Sequence, residues 1–269
     1  MADTTHVKAS GTAGAPPATY VYAVVDAERE PALSRAPAGL PGCSRPRAID
    51  AGGGLWLVAA DAPLRQYDER ALDRGLKDLE WVALRAMAHQ RVVDHCLRLG
   101  TVLPMKLFTL FRGDARAVAH VAGRKRALRA LATRLRGRRE WGVRLSVDRG
   151  AAERTVRKGA AAAGRGAARG TAYLLRKTRE RTLARDLLRD ARGEAERAYA
   201  ALRRLASASL RRAPSGQELV LDAAFLVPDP GARRFETAVA RLRKTLAPRG
   251  IVVALTGPWP AYSFAGQRG

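Results

Sequence analysis

Apolar and polar positions change rhythm several times along this chain, and each rhythm predicts an element. The run Tyr20-Val21-Tyr22-Ala23-Val24-Val25 reads as a first strand, ended by Asp26. Residues 27–47 hold four prolines with Gly39 and Gly42, a loop composition. Gly52-Gly53-Gly54 predicts a hairpin turn between Ala48-Ile49 and a strand over 55–60. Beyond Pro63, Leu72, Leu76, Leu79, Ala83, Ala86, Val93 and Leu97 recur at three- and four-residue spacing. That stripe predicts one long helix with these residues facing a core and Trp81 off its edge. Gly100 is placed to end it in the left-handed conformation. Residues 101–111 read as extended on either side of Pro104, with Phe108 and Phe111 buried and Lys106 the odd charge among them. A basic helix then follows Gly113-Asp114, from about 115 to 136.

The second half alternates strand and helix. Residues 141–147 alternate apolar and polar, as a half-buried strand does. A low-complexity tract over 150–170 precedes a helix from about 171 to 210, with Leu183, Leu187, Ala191, Ala195, Ala198, Leu202 and Leu205 inward. A strand over 218–228 is closed by Pro228. A helix over 233–246 turns Phe235, Val239 and Leu242 inward, and Gly250 caps it. A final strand from Ile251 is stopped by Thr256-Gly257-Pro258. The order predicts an α+β sandwich of ferredoxin-like type, with helices on one face of a small sheet.

The tail concentrates Trp259, Tyr262 and Phe264 in a chain that is only 6% aromatic. Two readings are open: an aromatic plug that closes a core or a domain interface, or a docking surface for another protein, since Trp and Tyr dominate binding hot spots.

With 269 residues there is room for two domains. A polar leader over 1–18 reads as disordered, and no stretch approaches the length of a membrane span. Two cysteines, Cys43 and Cys96, are too few for a disulfide framework or a zinc site, so a soluble protein of the reducing cytoplasm is expected. Net charge is +24, and residues 112–212 alone hold 29 basic against 9 acidic side chains, a surplus of 20. Such a field attracts acidic partners.

Candidate chemistry is thin. His89 and Asp94-His95-Cys96 offer ligand atoms, but sequential residues diverge around a helix and no HExxH pair exists, so a hydrogen-bonded structural histidine is expected. The glycine tracts lack the residues of a phosphate loop. No catalytic residue, metal site or cofactor is expected. The alternative function is nonspecific nucleic-acid binding, which the charge permits, although no recognised binding motif accompanies it.

Six segments together are similar to the gas vesicle accessory proteins of the GvpF/GvpL family, closer to the L-type. They are YVYAVV at 20–25, DLEWVALRAMAHQRVV at 78–93, GTVLPMKLFTLF at 100–111, EWGVRLSVD at 140–148, TAYLL at 171–175 and LTGPWPAYSF at 255–264. They run in order over nearly the whole chain from Tyr20. One departure stands out: Phe108 occupies a place where the F-type pattern has glycine. The resemblance implies a non-enzymatic role in building gas vesicles, in contact with the main shell protein and other accessory proteins. It also implies an N-terminal α/β domain, over 19–112, and a C-terminal ferredoxin-like domain, over 139–269, with a connecting basic helix over 113–138. On that basis Trp81, Trp259, Tyr262 and Phe264 are expected to form or support a recognition surface. Arg176, Lys177 and Arg181 of the long basic helix are expected to meet acidic patches on partners.

Overall fold

The computed structural model describes residues 17–148, 150, 169–216 and 218–266. The chain divides into two compact units. One ends at Gly137 and takes in the chain again from Trp259; the other is Arg138–Pro258.

In the first unit β1 (Ala18–Asp26) is the central strand. It pairs antiparallel with β3 (Leu55–Ala62) on one edge, and β2 (Arg47–Asp50) lies beyond β3. Its other edge is shared by β4 (Thr101–Pro104) and β5 (Leu110–Phe111). Gly52, Gly53 and Gly54 all have positive φ and turn the β2–β3 hairpin. Tyr20, Tyr22, Ala23 and Val25 join the core with Val92, Val93 and Cys96. Val21, Val24 and Leu57, which fall outside that cluster, are fully buried too, so the sheet is covered on both faces.

The long helix expected after Pro63 is three helices: α1 (Leu64–Tyr67), α2 (Glu69–Gly75) and α3 (Leu79–Cys96). Two aspartates make the breaks. Asp68 accepts from the Ala71 amide, and Asp78 accepts from the amides of Glu80 and Trp81, so each caps a new helix. The basic helix over 115–136 is likewise two, α4 (Asp114–Ala122) and α5 (Lys125–Leu135). They pack on β1 and β4 of the first unit instead of forming a connector. Asp114 does not cap α4; its carboxylate takes the Thr19 hydroxyl at 2.6 Å and Arg47 at 3.0 Å.

The second unit is a four-stranded sheet in the order β7-β8-β6-β9, formed by β6 (Arg138–Val147), β7 (Ala208–Arg212), β8 (Leu219–Pro228) and β9 (Ile251–Trp259). With α6 (Arg169–Arg203) after β6 and α7 (Ala232–Leu246) after β8, this is the ferredoxin-like arrangement. Alternate residues Trp141, Val143, Leu145 and Val147 of β6 meet Leu221, Ala223, Phe225 and Val227 of β8. Ala191, Ala195, Ala198 and Leu202 of α6 and Phe235 and Val239 of α7 cover that face.

Several expectations are corrected. Helix α6, expected to run to about 210, ends at Arg203, and Ala208 and Leu210 belong to β7. β9 runs through Thr256-Gly257-Pro258 to Trp259; it is an edge strand, where a missing backbone donor is tolerated. Phe108 and Phe111 are half-buried, not buried, and Lys106 is exposed. Gly100 is not left-handed; a Cβ there would stand 2.6 Å from the Asp26 carbonyl oxygen and 2.9 Å from Val25, so close packing requires the glycine. The closing segment belongs with the first unit, not with the ferredoxin-like one: Tyr262 packs against the first core and Arg134 donates to the Phe264 carbonyl at 3.0 Å. The leader over 1–16 and most of the 150–170 tract lie outside the described residues.

His89 of α3 is buried, with Nδ1 2.7 Å from the Tyr20 hydroxyl and its ring against Tyr22 and Tyr262. Burial pushes its pKa down to about 4, and the Met105 backbone opposes that shift only in part. Below about pH 6.5 the unfolded chain takes up a proton that the folded chain refuses until about pH 4, so stability is full above that window and falls through it. Urea unfolding should lose about 2 kcal/mol between pH 7 and pH 5 from this group. A folded His89→Gln variant should show a flatter profile; parallel profiles would contradict the assignment. Gly100→Ala should cost about 1–3 kcal/mol in the same assay, whereas a neutral effect would mean the strand and helix end do not approach as described.

Candidate functional site

Helix α3 is apolar on two sides. Ala88, Val92, Val93 and Cys96 face inward together with Arg85 and His89. Of the six large apolar side chains exposed among the described residues, four fall in one short stretch: Leu76 (54%), Leu79 (84%), Leu84 (52%) and Met87 (63%). Leu79, Ala83 and Met87 are spaced i, i+4, i+8 and so line one helix face. Single exposed leucines are ordinary, whereas here four large apolar side chains are exposed between positions 76 and 87. Leu76, Leu79 and Ala83, expected on the buried stripe, face outward, while Leu72 and Leu97 pack against the core.

Trp81 stands at the start of this face. Its ring lies 5.4 Å from that of Phe108, and the Arg85 guanidinium sits 3.7 Å above it. A Cβ on Gly75 would come within 2.7 Å of the indole, so a glycine at the end of α2 lets the two helices close on the ring. Phe108 holds a φ of 64°, a left-handed backbone that costs a non-glycine residue about 1–2 kcal/mol. Gln66, Arg74, Gly75 and Asp78, with Trp81 and Arg85, line a pocket of about 350 Å³ where α2 meets α3. None of the pocket's polar residues drew notice in the sequence. The signals available were the two Asp caps and Gly75, which break the helix and create the elbow.

The other expected contact residues are distributed unequally. Trp259 is 40% exposed, Tyr262 is half-buried beside His89, and Phe264, in α8 (Tyr262–Ala265), is buried. Phe264 is therefore a packing residue, not a contact, because its ring is spent in the core. The structure thus brings Trp81 together with Phe108 and Arg85, and Tyr262 together with His89. The side chains of Arg176, Lys177 and Arg181 lie outside the described residues. Farther along α6, Arg185, Arg189, Arg192 and Arg197 are exposed, with Arg189 and Arg197 paired to Asp186 and Glu194 one turn away.

Burial pushes the Cys43 thiol up to about 11 and the Cys96 thiol up to about 12, so both are protonated at neutral pH. Among the described residues no group of His, Cys, Asp and Glu is placed to hold a metal ion, and no helix is long and apolar enough to cross a membrane. What the first unit offers is an apolar helix face beside a lined pocket.

The sequence and the fold both have known relatives. The family described as gas vesicle synthesis protein GvpL/GvpF matches residues 18–266. Gas vesicle protein L of Streptomyces sp. (strain CB03234) is 34% identical over 263 residues, covering 92% of each chain. The crystal structure of the gas vesicle protein GvpF from Anabaena sp. PCC7120 superposes with a TM-score of 0.66 at 17% identity, over 94% of this chain and all of that one. GvpF from Microcystis aeruginosa gives a TM-score of 0.58 at 16% identity, over 93% and 99%. The match extends from β1 to α8 and takes in both units, so the chain belongs to the GvpL/GvpF family of gas vesicle proteins.

Proposed function

We propose that this chain is an accessory protein of gas vesicle assembly that binds the shell protein and fellow accessory proteins and performs no reaction. The observation that carries the reading is the outward face of α3, where Leu79, Ala83, Leu84 and Met87 are left exposed on a helix whose opposite side is already packed. A gas vesicle shell subunit is very hydrophobic and prone to β-assembly, so a helper must cover apolar surface before it aggregates. A preformed apolar helix face is suited to that task. Trp81 supports the face from its first turn, and Trp259 offers a second exposed ring. The exposed arginines of α6 attract acidic patches on partners and speed their encounter.

Capture of the shell protein by the immobilised full chain tests this reading. A Leu79→Asp, Met87→Asp double variant changes two exposed positions and should keep the wild-type melting temperature. It should lose capture by tenfold or more, since each apolar side chain removed from a contact is worth about 1.5–3 kcal/mol. Undiminished capture would remove α3 from the contact. Trp259→Ala should weaken capture less, and an unchanged result there would leave the tail a packing element.

A further inference from the structure

We infer that the pocket at the α2–α3 elbow is a carboxylate site, which takes the side chain of an aspartate or glutamate flanked by apolar residues on a partner protein. The inference rests on the reading above and names the chemistry of the segment that docks beside the α3 face. Its basis is Arg85. This guanidinium is only 9% exposed, yet among the described residues no carboxylate lies within ion-pair distance of it. Its Nη1 donates to the Trp81 carbonyl at 3.3 Å, its guanidinium carbon sits 3.7 Å over the Trp81 ring, the neutral Tyr67 side chain also meets it, and its Nε is buried without a hydrogen-bond partner.

Buried charges are ordinarily paired, because an uncompensated one carries its full desolvation cost. Arg47 of the same unit shows the usual solution, with Asp61 at 2.6 Å and Asp114 at 3.0 Å, although it is far more exposed. Arg85 lacks that complement and lines an open pocket. Arg74 adds a second positive charge to the lining and Gln66 an amide. The acid of the pocket, Asp78, is engaged elsewhere: its Oδ1 accepts from the Glu80 amide at 2.9 Å and from the Trp81 amide at 3.2 Å. The planar fork of arginine matches a carboxylate, and the aromatic ring beneath it keeps the fork oriented. Leu76 and Leu79 follow Gly75 and Asp78 of the lining directly in the chain and are exposed, so an acid with apolar neighbours fits better than an isolated charge.

The test uses the full chain labelled with 5-fluorotryptophan, the Trp81 fluorine signal being assigned with Trp81→Phe. Two probes are titrated, the capped tripeptides Leu-Glu-Leu and Leu-Gln-Leu. The glutamate tripeptide should shift the Trp81 signal saturably with a millimolar Kd, and the glutamine tripeptide should bind at least about tenfold more weakly. Arg85→Gln should abolish the shift while the Trp56 and Trp141 signals stay in place. Should Arg85→Gln fail to fold, Arg74→Glu at an exposed position of the lining should weaken the glutamate tripeptide by about tenfold. Equal response to the two tripeptides, no saturable shift up to about 20 mM, or a response to a DNA oligonucleotide alone overturns the site. Failure of the tripeptide with shell capture intact removes only the carboxylate site. Loss of the shell contact with tripeptide binding intact removes only the proposed function.

Discussion

The hydrogen bond between the Tyr20 hydroxyl and His89 Nδ1, at 2.7 Å, sets the rotation of α3 on the first sheet. Both groups are buried, and an unpaired polar group there would cost about 1–3 kcal/mol. A helix turned by one residue rotates its side chains by about 100°, which would carry His89 out of reach of β1. The same tyrosine hydroxyl accepts from the Phe108 amide at 3.3 Å, so one oxygen ties β1, α3 and the loop before β5 together. With His89 held inward, Val92, Val93 and Cys96 follow it into the core and Leu79, Ala83 and Met87 face solvent.

That rotation has a cost, since the first unit leaves large apolar side chains exposed and holds Phe108 in a left-handed backbone. The Phe108 ring is retained by its contact with Trp81. Strain and exposure accumulate around one elbow, where Arg85 is also buried with no carboxylate at ion-pair distance among the described residues. Local features that lower stability and coincide in space are the basis for proposing a binding surface there.

Much of the fold was legible in the residue pattern. The β-branched and aromatic run of β1, the alternation of β6, the triple-glycine hairpin and the left-handed Gly250 are local signals, and local signals survive folding. The failures have physical causes. β7 is short and carries two arginines, and neither glycine nor proline separates it from α6, so it reads as more helix. Within the predicted stripe Leu72, Val93 and Leu97 do reach the core, but Leu76, Leu79 and Ala83 face outward, because hydropathy ranks Leu79 above His89 and Arg85. Burial of those two polar groups depends on partners brought from β1 and α1, which no window of the sequence contains. Phe264 and Trp259 sit five residues apart in an aromatic tail, and only the packing of the first unit separates a core ring from an exposed one. The Arg85 pocket was not visible at all, being made by a helix break that the capping aspartates announce only in retrospect.

Cysteine labelling distinguishes an outward α3 face from an inward one. In a chain with Cys43 replaced by serine, Leu79→Cys or Val92→Cys is introduced and its reaction rate with a soluble thiol reagent is followed, alone and with assembling shell protein. Position 79 should label fast in the chain alone and be strongly protected when shell protein is present, and position 92 should label slowly throughout. A rate at position 79 that shell protein leaves unchanged, or one no faster than at position 92, would contradict this expectation.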